Sequence, residues 1–419
     1  MTESRHFDVL VVGAGPAGMA AAITAASGGA KVGIVDENPQ PGGQIFRAKV
    51  GKLAPEVAKS VEKLAASGVE LLNGLTIVDA PQPGVLMGAT HKSMIILKYS
   101  KLILAVGARE LFLPFPGWTL PNVMGIGGLQ ALVKSGLDVR GKRIVLSGSG
   151  PLLIAVGAYL KEYGAEVMAI VEQASTANLA RFAAGMAKYP SKIKQGTPLI
   201  FGVGRLIQRG AWVESAHGKD KLESVKLNKS VGSIQCEYLG CSFGFVPNLE
   251  LPMLIGCQVV DGFVKVDSLQ NTSIANVFCA GEPTGIGGIE LSVVEGKIAG
   301  FTASGHTERA QVLMPEKQKW QAFSRALDQA FALREELRGL VEPETIVCRC
   351  EDVRHRQLKG YDCGREAKLH TRCGMGPCQG RVCGASTRFL YGWEHGTVRP
   401  PLVPVPLAGL ANEEQGKTK

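Results

Sequence analysis

A glycine-rich turn near the amino terminus constrains the fold more than any other feature of this 419-residue chain. It follows the apolar run of residues 7–12 and precedes an alanine-rich stretch that ends at Ser27. This run is apolar apart from Asp8 and has no helical period, which predicts a strand buried on both faces, and the alanine-rich stretch predicts a helix. A second apolar run, residues 31–35, predicts the next strand. The order strand, glycine turn, helix, strand predicts a right-handed βαβ unit of the dinucleotide-binding type.

The spacing within the turn predicts which residues cradle a dinucleotide. The turn reads Gly13-Ala14-Gly15-Pro16-Ala17-Gly18. Its first glycine permits the tight turn, its second lets a pyrophosphate approach the backbone, and its third lets the helix pack against the strand. Asp36 ends the second strand, where an acidic residue binds the ribose hydroxyls, and Glu37 is its neighbour. Asp36 is the preferred ribose ligand because it directly follows the apolar run.

Later segments resemble the flavoproteins of the two-dinucleotide-domain, disulfide-oxidoreductase type. The segment Cys279-Ala280-Gly281-Glu282, followed by Gly288 and by Glu295-Gly296, resembles the second FAD signature of that family, in which an acidic residue after Ala-Gly holds the ribityl chain. That residue is usually aspartate in the family, whereas it is glutamate here. The resemblance implies that the first glycine turn binds FAD. It adds further predicted FAD contacts, namely Gly42, Gly43 and Gln44 in the loop after Pro41, and Gly107 after a strand over residues 102–106.

A second glycine motif departs from the first at its third small residue. Gly148-Ser149-Gly150 follows an apolar run, but Leu153 stands where a small residue belongs and is expected to hold the helix away from the strand. Glu172 stands where an acid would select a ribose hydroxyl. Two interpretations stay open: a working NAD(P) site, or a domain that has lost or changed its ligand. FMN and ATP are the other nucleotides considered for this domain.

Six of the ten cysteines lie within residues 348–383, near the carboxyl terminus. The pair Cys348 and Cys350 precedes the pair Cys378 and Cys383, and these four thiolates are predicted to bind a [2Fe–2S] cluster. A disulfide framework conflicts with a reducing compartment, and zinc usually takes Cys-x₂-Cys pairs. The segment resembles the bacterioferritin-associated-ferredoxin-like [2Fe–2S] domain, although the later pair there is typically Cys-x₂-Cys. Cys373 is an alternative ligand, because it also forms a Cys-x₄-Cys pair with Cys378.

The other cysteines carry no redox motif. The chain has no Cys-x-x-Cys, which disfavours a disulfide reductase. Four further cysteines lie in strand-like or apolar settings and are predicted to be buried thiols: Cys236, Cys241, Cys257 and Cys279.

Charge and hydropathy exclude other classes of function. The net charge of +9 comes from 46 basic and 37 acidic residues, but no basic helix carries interleaved aromatic residues, which argues against nucleic acid. The amino terminus shows no secretory h-region, and the uncharged stretch of residues 144–160 contains a glycine turn. The expectation is a cytoplasmic protein without a membrane span, with which peripheral membrane association is compatible.

The order of these segments resembles one family over nearly the whole chain. This is the FAD-containing larger subunit of bacterial multi-subunit amine or imino-acid dehydrogenases, a family with members in opine oxidase, hydrogen cyanide synthase and D-hydroxyproline dehydrogenase. The predicted fold class is α/β, with two Rossmann-like dinucleotide-binding domains and a small C-terminal [2Fe–2S] module. The predicted bounds are 1–115 with 262–315 for a discontinuous FAD-binding domain, 116–261 for the inserted nucleotide domain, 316–342 for a helical linker, 343–395 for the cluster module and 396–419 for an extended tail.

The resemblance implies a role in electron transfer. In that family a separate FAD-dependent, oxidase-like subunit oxidises the carbon–nitrogen bond of an amino or imino acid of the opine, proline, hydroxyproline or glycine type. The subunit that resembles this chain passes electrons onward. The implied partners are that flavoprotein and a small third subunit. No His/Asp/Ser constellation presents itself, so no catalytic residue is assigned. Two alternatives stay open: a stand-alone NAD(P)H-dependent FAD/[2Fe–2S] reductase, and a non-enzymatic protein for iron handling or docking.

Overall fold

The computed structural model describes residues 3–43, 55–91, 93–394 and 398–405. The strands are β1 (Glu3–Val12), β2 (Val32–Asp36), β3 (Glu70–Asn73), β4 (Thr76–Gln82), β5 (Val85–Ala89), β6 (Met94–Leu104), β7 (Ala108–Glu110), β8 (Val123–Gly125), β9 (Arg143–Gly148), β10 (Glu166–Glu172), β11 (Ile207–Arg209), β12 (Val213–His217), β13 (Ser224–Leu227), β14 (Ser233–Gln235), β15 (Tyr238–Ser242), β16 (Phe245–Pro247), β17 (Val259–Val260), β18 (Phe263–Val264), β19 (Val277–Cys279), β20 (Ile346–Cys348) and β21 (Val353–Arg354). The α-helices are α1 (Pro16–Ser27), α2 (Pro55–Ala66), α3 (Ile126–Lys134), α4 (Leu152–Glu162), α5 (Thr176–Gly185), α6 (Pro190–Val203), α7 (Glu250–Ile255), α8 (Gly288–Ala303), α9 (Thr307–Val312), α10 (Met314–Phe331), α11 (His355–Leu358), α12 (Gly364–Thr371) and α13 (Cys383–Tyr391).

Contacts within the chain divide it into two compact units. Unit 1 comprises Met1–Arg109, Pro247–Ser324 and Thr397–Lys419. Unit 2 comprises Glu110–Val246 and Arg325–Gly396. Unit 1 therefore holds both segments that resemble FAD signatures, and unit 2 holds the second glycine motif together with the cysteine-rich segment.

Unit 1 is built on a seven-stranded sheet. Its strand order is β3-β2-β1-β6-β5-β4, and β19 also pairs with β6. The strands around β1 run parallel, while β5 and β4 are antiparallel additions at one side. Val9 and Val11 pack with α1 on one face of the sheet, and Phe7 and Leu10 pack into a second core on the other. Burial on both faces explains why this strand reads as one continuous apolar run.

Helix α8 returns to pack against α1 with no room between the two backbones. A Cβ at Gly296 would lie 2.1 Å from the carbonyl oxygen of Ala17, and one at Gly300 would lie 2.5 Å from that of Ala21. Small residues on both helices are therefore what lets the distant segment 281–303 close the first glycine turn.

Unit 2 contains a second parallel sheet, in the order β11-β10-β9-β15-β8. The antiparallel sheet β12-β13-β14 belongs to the same unit. One side of β9 and β10 packs with α3 and α4, where Leu153 and Val156 are fully buried. The two parallel sheets, each with a glycine turn after its central strand, confirm the predicted α/β fold class.

The cysteine-rich module is a small layer of its own within unit 2. The hairpin β20–β21 packs against α11, α12 and α13 around Val347, Leu358, Ala367 and Trp393. The Trp118 indole N–H donates to the Ile346 carbonyl at 2.6 Å, which joins the module to the rest of the unit. This module supplies a scaffold for the cysteines but has only a small core.

Two stretches differ from the sequence-based expectation. The strand predicted over residues 102–106 is the end of the longer β6, whose first half pairs with β5. The amphipathic pattern of residues 316–340 is not one helix: α10 ends at Phe331, residues 332–334 are extended, and a 3₁₀ helix covers Glu335–Leu340. No helix within the described ranges combines the length and apolar character needed to cross a membrane.

Candidate cofactor sites

The first cradle, defined as residues 13–18 with Asp36, has the geometry that a dinucleotide requires. Gly13 has a φ of +103°, and a Cβ there would lie 2.2 Å from the Ala105 carbonyl oxygen. A Cβ at Gly18 would lie 1.8 Å from the Gly13 carbonyl oxygen. Among the described residues other than its chain neighbours and its own helix, no atom lies within 4 Å of the Cβ position of Gly15, the residue that caps α1. The cradle is therefore closely packed at Gly13 and Gly18 but open at Gly15, next to the amino terminus of α1, where a pyrophosphate would bind.

The two acidic residues after β2 differ in their surroundings. Asp36 is buried, and its Oδ2 accepts a hydrogen bond from the Ala14 N–H at 2.6 Å. Its Oδ1 accepts from the backbone and side-chain N–H groups of Asn38, both at 2.8 Å. Glu37 is exposed. The structure therefore ties Asp36 to the cradle, and its Oδ2, which accepts a single hydrogen bond, retains acceptor capacity for a ribose hydroxyl.

Two further loops reach the first cradle. The Gly42 N–H donates to the Ala14 carbonyl at 2.8 Å, and a Cβ at Gly43 would lie 3.2 Å from the Gly15 Cα. Gln44, the third predicted residue of this loop, lies outside the described residues. Gly107 has a φ of +67° and open space at its Cβ position.

Asn248 holds the turn at Gly107 and was not predicted. Its backbone N–H donates to the Gly107 carbonyl at 3.0 Å, and its side-chain amide donates to the Val106 carbonyl at 2.8 Å. Arg109 donates to the Asn248 amide oxygen at 2.8 Å. No local pattern in the sequence marks Asn248, because the groups that it serves lie about 140 residues earlier.

The second FAD-like signature lies against α1. Gly281 has a φ of +81°, and a Cβ there would lie 2.8 Å from the Ala17 Cβ. Glu282 begins a 3₁₀ turn, and its Oε1 accepts from the Gly288 N–H at 3.2 Å. Segments 13–18, 42–43 and 281–288 thus converge on one side of unit 1, although they are far apart in sequence.

Glu295 is a buried carboxyl group behind this signature. It is 3% exposed, and its Oε2 accepts from the Gly281 N–H at 3.0 Å and from the Thr284 hydroxyl at 2.9 Å. Burial raises the pKa of Glu295 to about 7, an effect that the nearby Lys317 cation partly offsets. Glu295 lies in the segment that resembles the second FAD signature, but no role was predicted for it.

Glu295 predicts a pH dependence of stability. Its folded-state pKa of about 7 exceeds the ordinary value of 4.5, so the folded protein binds more protons than the unfolded chain between these values. We expect its contribution to the free energy of unfolding to fall as pH rises through this window, by up to about 1.4 kcal/mol per pH unit. Glu295→Gln should flatten the pH profile measured by urea unfolding. The exposed Glu37→Gln should not, and an unchanged slope in Glu295→Gln would contradict this assignment.

In the second cradle, defined as residues 148–150 with Glu172, the acidic side chain is hydrogen-bonded to the backbone of the protein. The Glu172 carboxylate accepts from the Gly150 N–H and from the Ala174 N–H, both at 2.8 Å. Burial raises the pKa of Glu172 to about 7. Leu153, which was predicted to hold the helix away from the strand, is fully buried in the core formed with β9 and β10. The helix approaches the sheet one turn later, where a Cβ at Gly157 would lie 2.6 Å from the Ile170 Cδ1.

Three cysteine sulfurs of the C-terminal module meet in its interior. The sulfurs of Cys348, Cys373 and Cys383 all lie within 4.8 Å of one another. Hydrogen bonds from the Cys373 and Cys383 thiols hold the pKa of Cys348 well below its usual range, while that of Cys373 is raised to about 12. The Gly374 N–H also donates to the Cys348 sulfur at 3.4 Å. This environment stabilises a thiolate, which is the form that binds metal.

The remaining two predicted ligands form an adjacent, outer pair. The Cys350 sulfur accepts a hydrogen bond from the Cys378 backbone N–H and lies against its thiol. Cys350 is exposed and Cys378 is half-buried. The four predicted ligands are thus divided between the buried triad and the outer pair, and Cys373 joins the triad. Five thiols in one small region fit the four-thiolate requirement of an iron–sulfur cluster.

The other four cysteines are buried, as predicted: Cys236, Cys241, Cys257 and Cys279. Burial raises the pKa of Cys236 to about 12. These thiols lie in the cores of the two units and take no part in either candidate site.

Comparison with known proteins agrees with this combination of sites. Residues 7–299 match the model of the pyridine nucleotide-disulphide oxidoreductase family. An opine oxidase subunit of Agrobacterium tumefaciens is 30% identical over 470 residues, which cover 98% of this chain and 92% of that protein. Hydrogen cyanide synthase subunit HcnB of Pseudomonas protegens is 28% identical, with 97% and 98% covered.

A solved structure shares the fold over almost the whole chain. The L-proline dehydrogenase from P. horikoshii superposes with a TM-score of 0.69 at 17% identity, covering 98% of this chain and 80% of that one. The chain therefore belongs to the pyridine nucleotide-disulphide oxidoreductase family and, within it, to the group that contains these subunits of opine oxidase and hydrogen cyanide synthase.

Proposed function

We propose that the chain is the FAD- and [2Fe–2S]-carrying electron-transfer subunit of a hetero-oligomeric dehydrogenase that oxidises the carbon–nitrogen bond of an amino or imino acid. The observation that supports this most is the presence of two different candidate redox sites on one chain. Unit 1 carries a cradle suited to a dinucleotide, and unit 2 carries a group of cysteine thiols suited to a metal cluster. A flavin can exchange two electrons with an organic compound, whereas an iron–sulfur cluster transfers them singly.

The names of the relatives support a role within a complex and the class of substrate. Two of them are named as subunits, of opine oxidase and of hydrogen cyanide synthase, and the solved structure is named as an L-proline dehydrogenase. Opines, proline and glycine all contain a carbon–nitrogen single bond. Its oxidation to a carbon–nitrogen double bond removes the equivalent of a hydride and a proton from the substrate. We propose that this oxidation takes place on a partner flavoprotein and that this chain conducts the electrons onward.

The residues divide between the two cofactors. For FAD we assign the pyrophosphate to the open side of Gly15, the ribose hydroxyls to Asp36, and the ribityl chain to Glu282. For the cluster we retain Cys348, Cys350, Cys378 and Cys383, with Cys373 as the alternative that its place in the triad supports. The cluster module is assigned to residues 343–395, and the second cradle is not assigned to a cofactor.

The experiment that tests this function is anaerobic mixing of the isolated chain with proline, hydroxyproline, glycine and opines. We expect no loss of flavin absorbance, because no substrate-oxidising constellation was identified in this chain. After the chain is purified from its native host with its partner, the same substrates are expected to bleach the flavin absorbance. The purified complex should contain a second flavoprotein, together with iron and acid-labile sulfide.

Three results would contradict the proposal. Full bleaching of the isolated chain by an amino or imino acid would place the oxidising site here. Rapid stoichiometric bleaching by NADH or NADPH would instead favour the stand-alone reductase. A chain that purifies without flavin or iron, and without a partner, would support a non-enzymatic role.

A further inference from the structure

The second cradle is covered by a piece of the chain itself. The docking segment, defined as residues 331–334, begins at the end of α10 and leads to the cysteine-rich module. The Ser149 hydroxyl of the cradle donates a hydrogen bond to the Phe331 carbonyl at 2.8 Å. The segment therefore reaches the glycine turn that would receive a pyrophosphate.

Gln173 holds the same segment by three further hydrogen bonds. Its amide Nε2 donates to the Phe331 carbonyl at 3.4 Å and to the Ala332 carbonyl at 3.1 Å. Its Oε1 accepts from the Arg334 backbone N–H at 3.2 Å. The Gln173 side-chain amide therefore both donates hydrogen bonds to the docking segment and accepts one from it.

The contact is buried, and the polar groups on its two sides form hydrogen bonds with each other. Gln173 is 0% exposed and Ser149 is 5% exposed, and the two side chains are joined by a 2.8 Å hydrogen bond. The last carbonyl groups of an α-helix have no intrahelical donor and need a partner when they are buried. The cradle supplies those donors to α10, and the end of α10 supplies acceptors to two buried polar side chains.

The docking segment lies where a nucleotide would bind. Ligands of open α/β sheets bind beyond the carboxyl ends of the strands. Ser149 lies in the turn after β9, and Gln173 directly follows Glu172 at the end of β10. Those two turns would contact the pyrophosphate and the adenosine ribose, while the Glu172 carboxylate already accepts the backbone N–H groups of Gly150 and Ala174.

Little space remains beside the docked segment. The Phe331 ring packs edge-to-face on Phe182 of α5, with 5.6 Å between ring centroids. The cavity between α5 and the end of α10 has a volume of about 80 Å³. Pockets that bind small molecules usually measure about 300–1,000 Å³. This gap has room for a few waters but not for a nucleoside.

We propose that the docking segment is the resident ligand of the second cradle and excludes adenine nucleotides from it. The domain then serves as the anchor for the segment that carries the cysteine-rich module. This inference is independent of the substrate and partner assigned above, because it concerns only groups within unit 2.

The test compares three variants of the full-length holoprotein, of which Arg334→Pro and Arg334→Ala form a matched pair. Arg334 has a φ of −76°, which proline adopts readily, so Arg334→Pro removes the N–H that Gln173 accepts without forcing the backbone. Arg334→Ala keeps that N–H and removes only the side chain, with its ion pair to Glu336 and its contact with Trp212. Gln173→Ala removes the cradle's side of the same contact.

Hydrogen–deuterium exchange and nucleotide titration are the two readouts. We expect exchange in peptides covering residues 326–334 to accelerate at least about tenfold in Arg334→Pro and Gln173→Ala, but not in Arg334→Ala. NADH and ATP should bind measurably more tightly to the first two variants than to the wild type. If either nucleotide binds the wild type, the same peptides should become less protected as it binds.

Three outcomes would overturn the proposal. The first is unchanged exchange in both Arg334→Pro and Gln173→Ala. The second is accelerated exchange without any gain in NADH or ATP affinity. The third is nucleotide binding to the wild type that leaves protection of residues 326–334 unaltered.

Discussion

Gly15→Ala is expected to abolish FAD binding while leaving the fold of unit 1 unchanged. The backbone at Gly15 has a φ of −74° and a ψ of −175°, which alanine adopts, and within the part of the chain that the structure describes no atom beyond its chain neighbours and its own helix lies within 4 Å of the new Cβ. The methyl group would instead fill the space that a pyrophosphate needs. We expect FAD affinity to fall at least about a hundredfold, which corresponds to about 2.8 kcal/mol. Flavin content after gel filtration and fluorescence titration of the apoprotein measure this.

Gly18→Ala provides the contrasting case in the same turn. Its Cβ would lie 1.8 Å from the Gly13 carbonyl oxygen, so α1 must shift away from the sheet. We expect the apoprotein itself to lose roughly 3 kcal/mol of stability. If Gly15→Ala destabilises the apoprotein as much as Gly18→Ala, or if it retains FAD, the pyrophosphate does not lie at Gly15.

Cys348→Ser is expected to remove the iron–sulfur cluster and leave the flavin in place. Cys348 belongs both to the four predicted ligands and to the buried triad, and it is the thiol whose pKa its neighbours lower. Because the cysteines lie in unit 2 and the first cradle in unit 1, FAD content should not change. Iron and acid-labile sulfide analysis, together with the visible spectrum, provide the measurement.

Cys363 offers the matched control for this experiment. It is an exposed cysteine of the same module that belongs to neither the triad nor the outer pair, so Cys363→Ser should keep full iron content. Comparing Cys373→Ser with Cys378→Ser then decides the fourth ligand. Loss of iron in the Cys378 variant alone would support the proposed set, and loss in the Cys373 variant alone would replace Cys378 by Cys373. A Cys348→Ser protein that retains iron would refute the cluster site.

The parts of the fold that were predictable carry strong local signals. Strand β1, helix α1 and strand β2 follow from a glycine turn between two apolar runs, and the second βαβ unit follows in the same way. The early end of α10 was not predictable, because the amphipathic pattern continues beyond Phe331. Its carbonyl groups are instead taken by Ser149 and Gln173, which lie more than 150 residues earlier. The interaction that accompanies the end of the helix is a tertiary contact, and the hydrophobic periodicity of the sequence gives no sign of it.

The candidate site shows the same division. Gly13, Gly18 and Asp36 were identified because their roles depend on neighbours within one βαβ unit. Asn248 was missed because the backbone groups that it binds are remote in sequence. Glu295 lay within the predicted FAD signature, but the hydrogen bond that it accepts from the Gly281 N–H was not predicted. Cys373 shares its spacing to Cys378 with the chosen pair, so spacing alone could not separate the two, whereas the folded chain places Cys373 in the buried triad.

The close packing of α8 on α1 has a consequence for synthesis of the protein. Ribosomes add about 5–20 residues per second, so residues 110–246 of unit 2 take on the order of 7–30 s to emerge. During that interval α1 has been made but α8 has not. The alanine face that later receives Gly296 and Gly300 therefore has no partner on the nascent chain. Unit 1 must remain incomplete until the helix beyond residue 288 is made, and for that time its apolar surface is a substrate for chaperones and a site of aggregation.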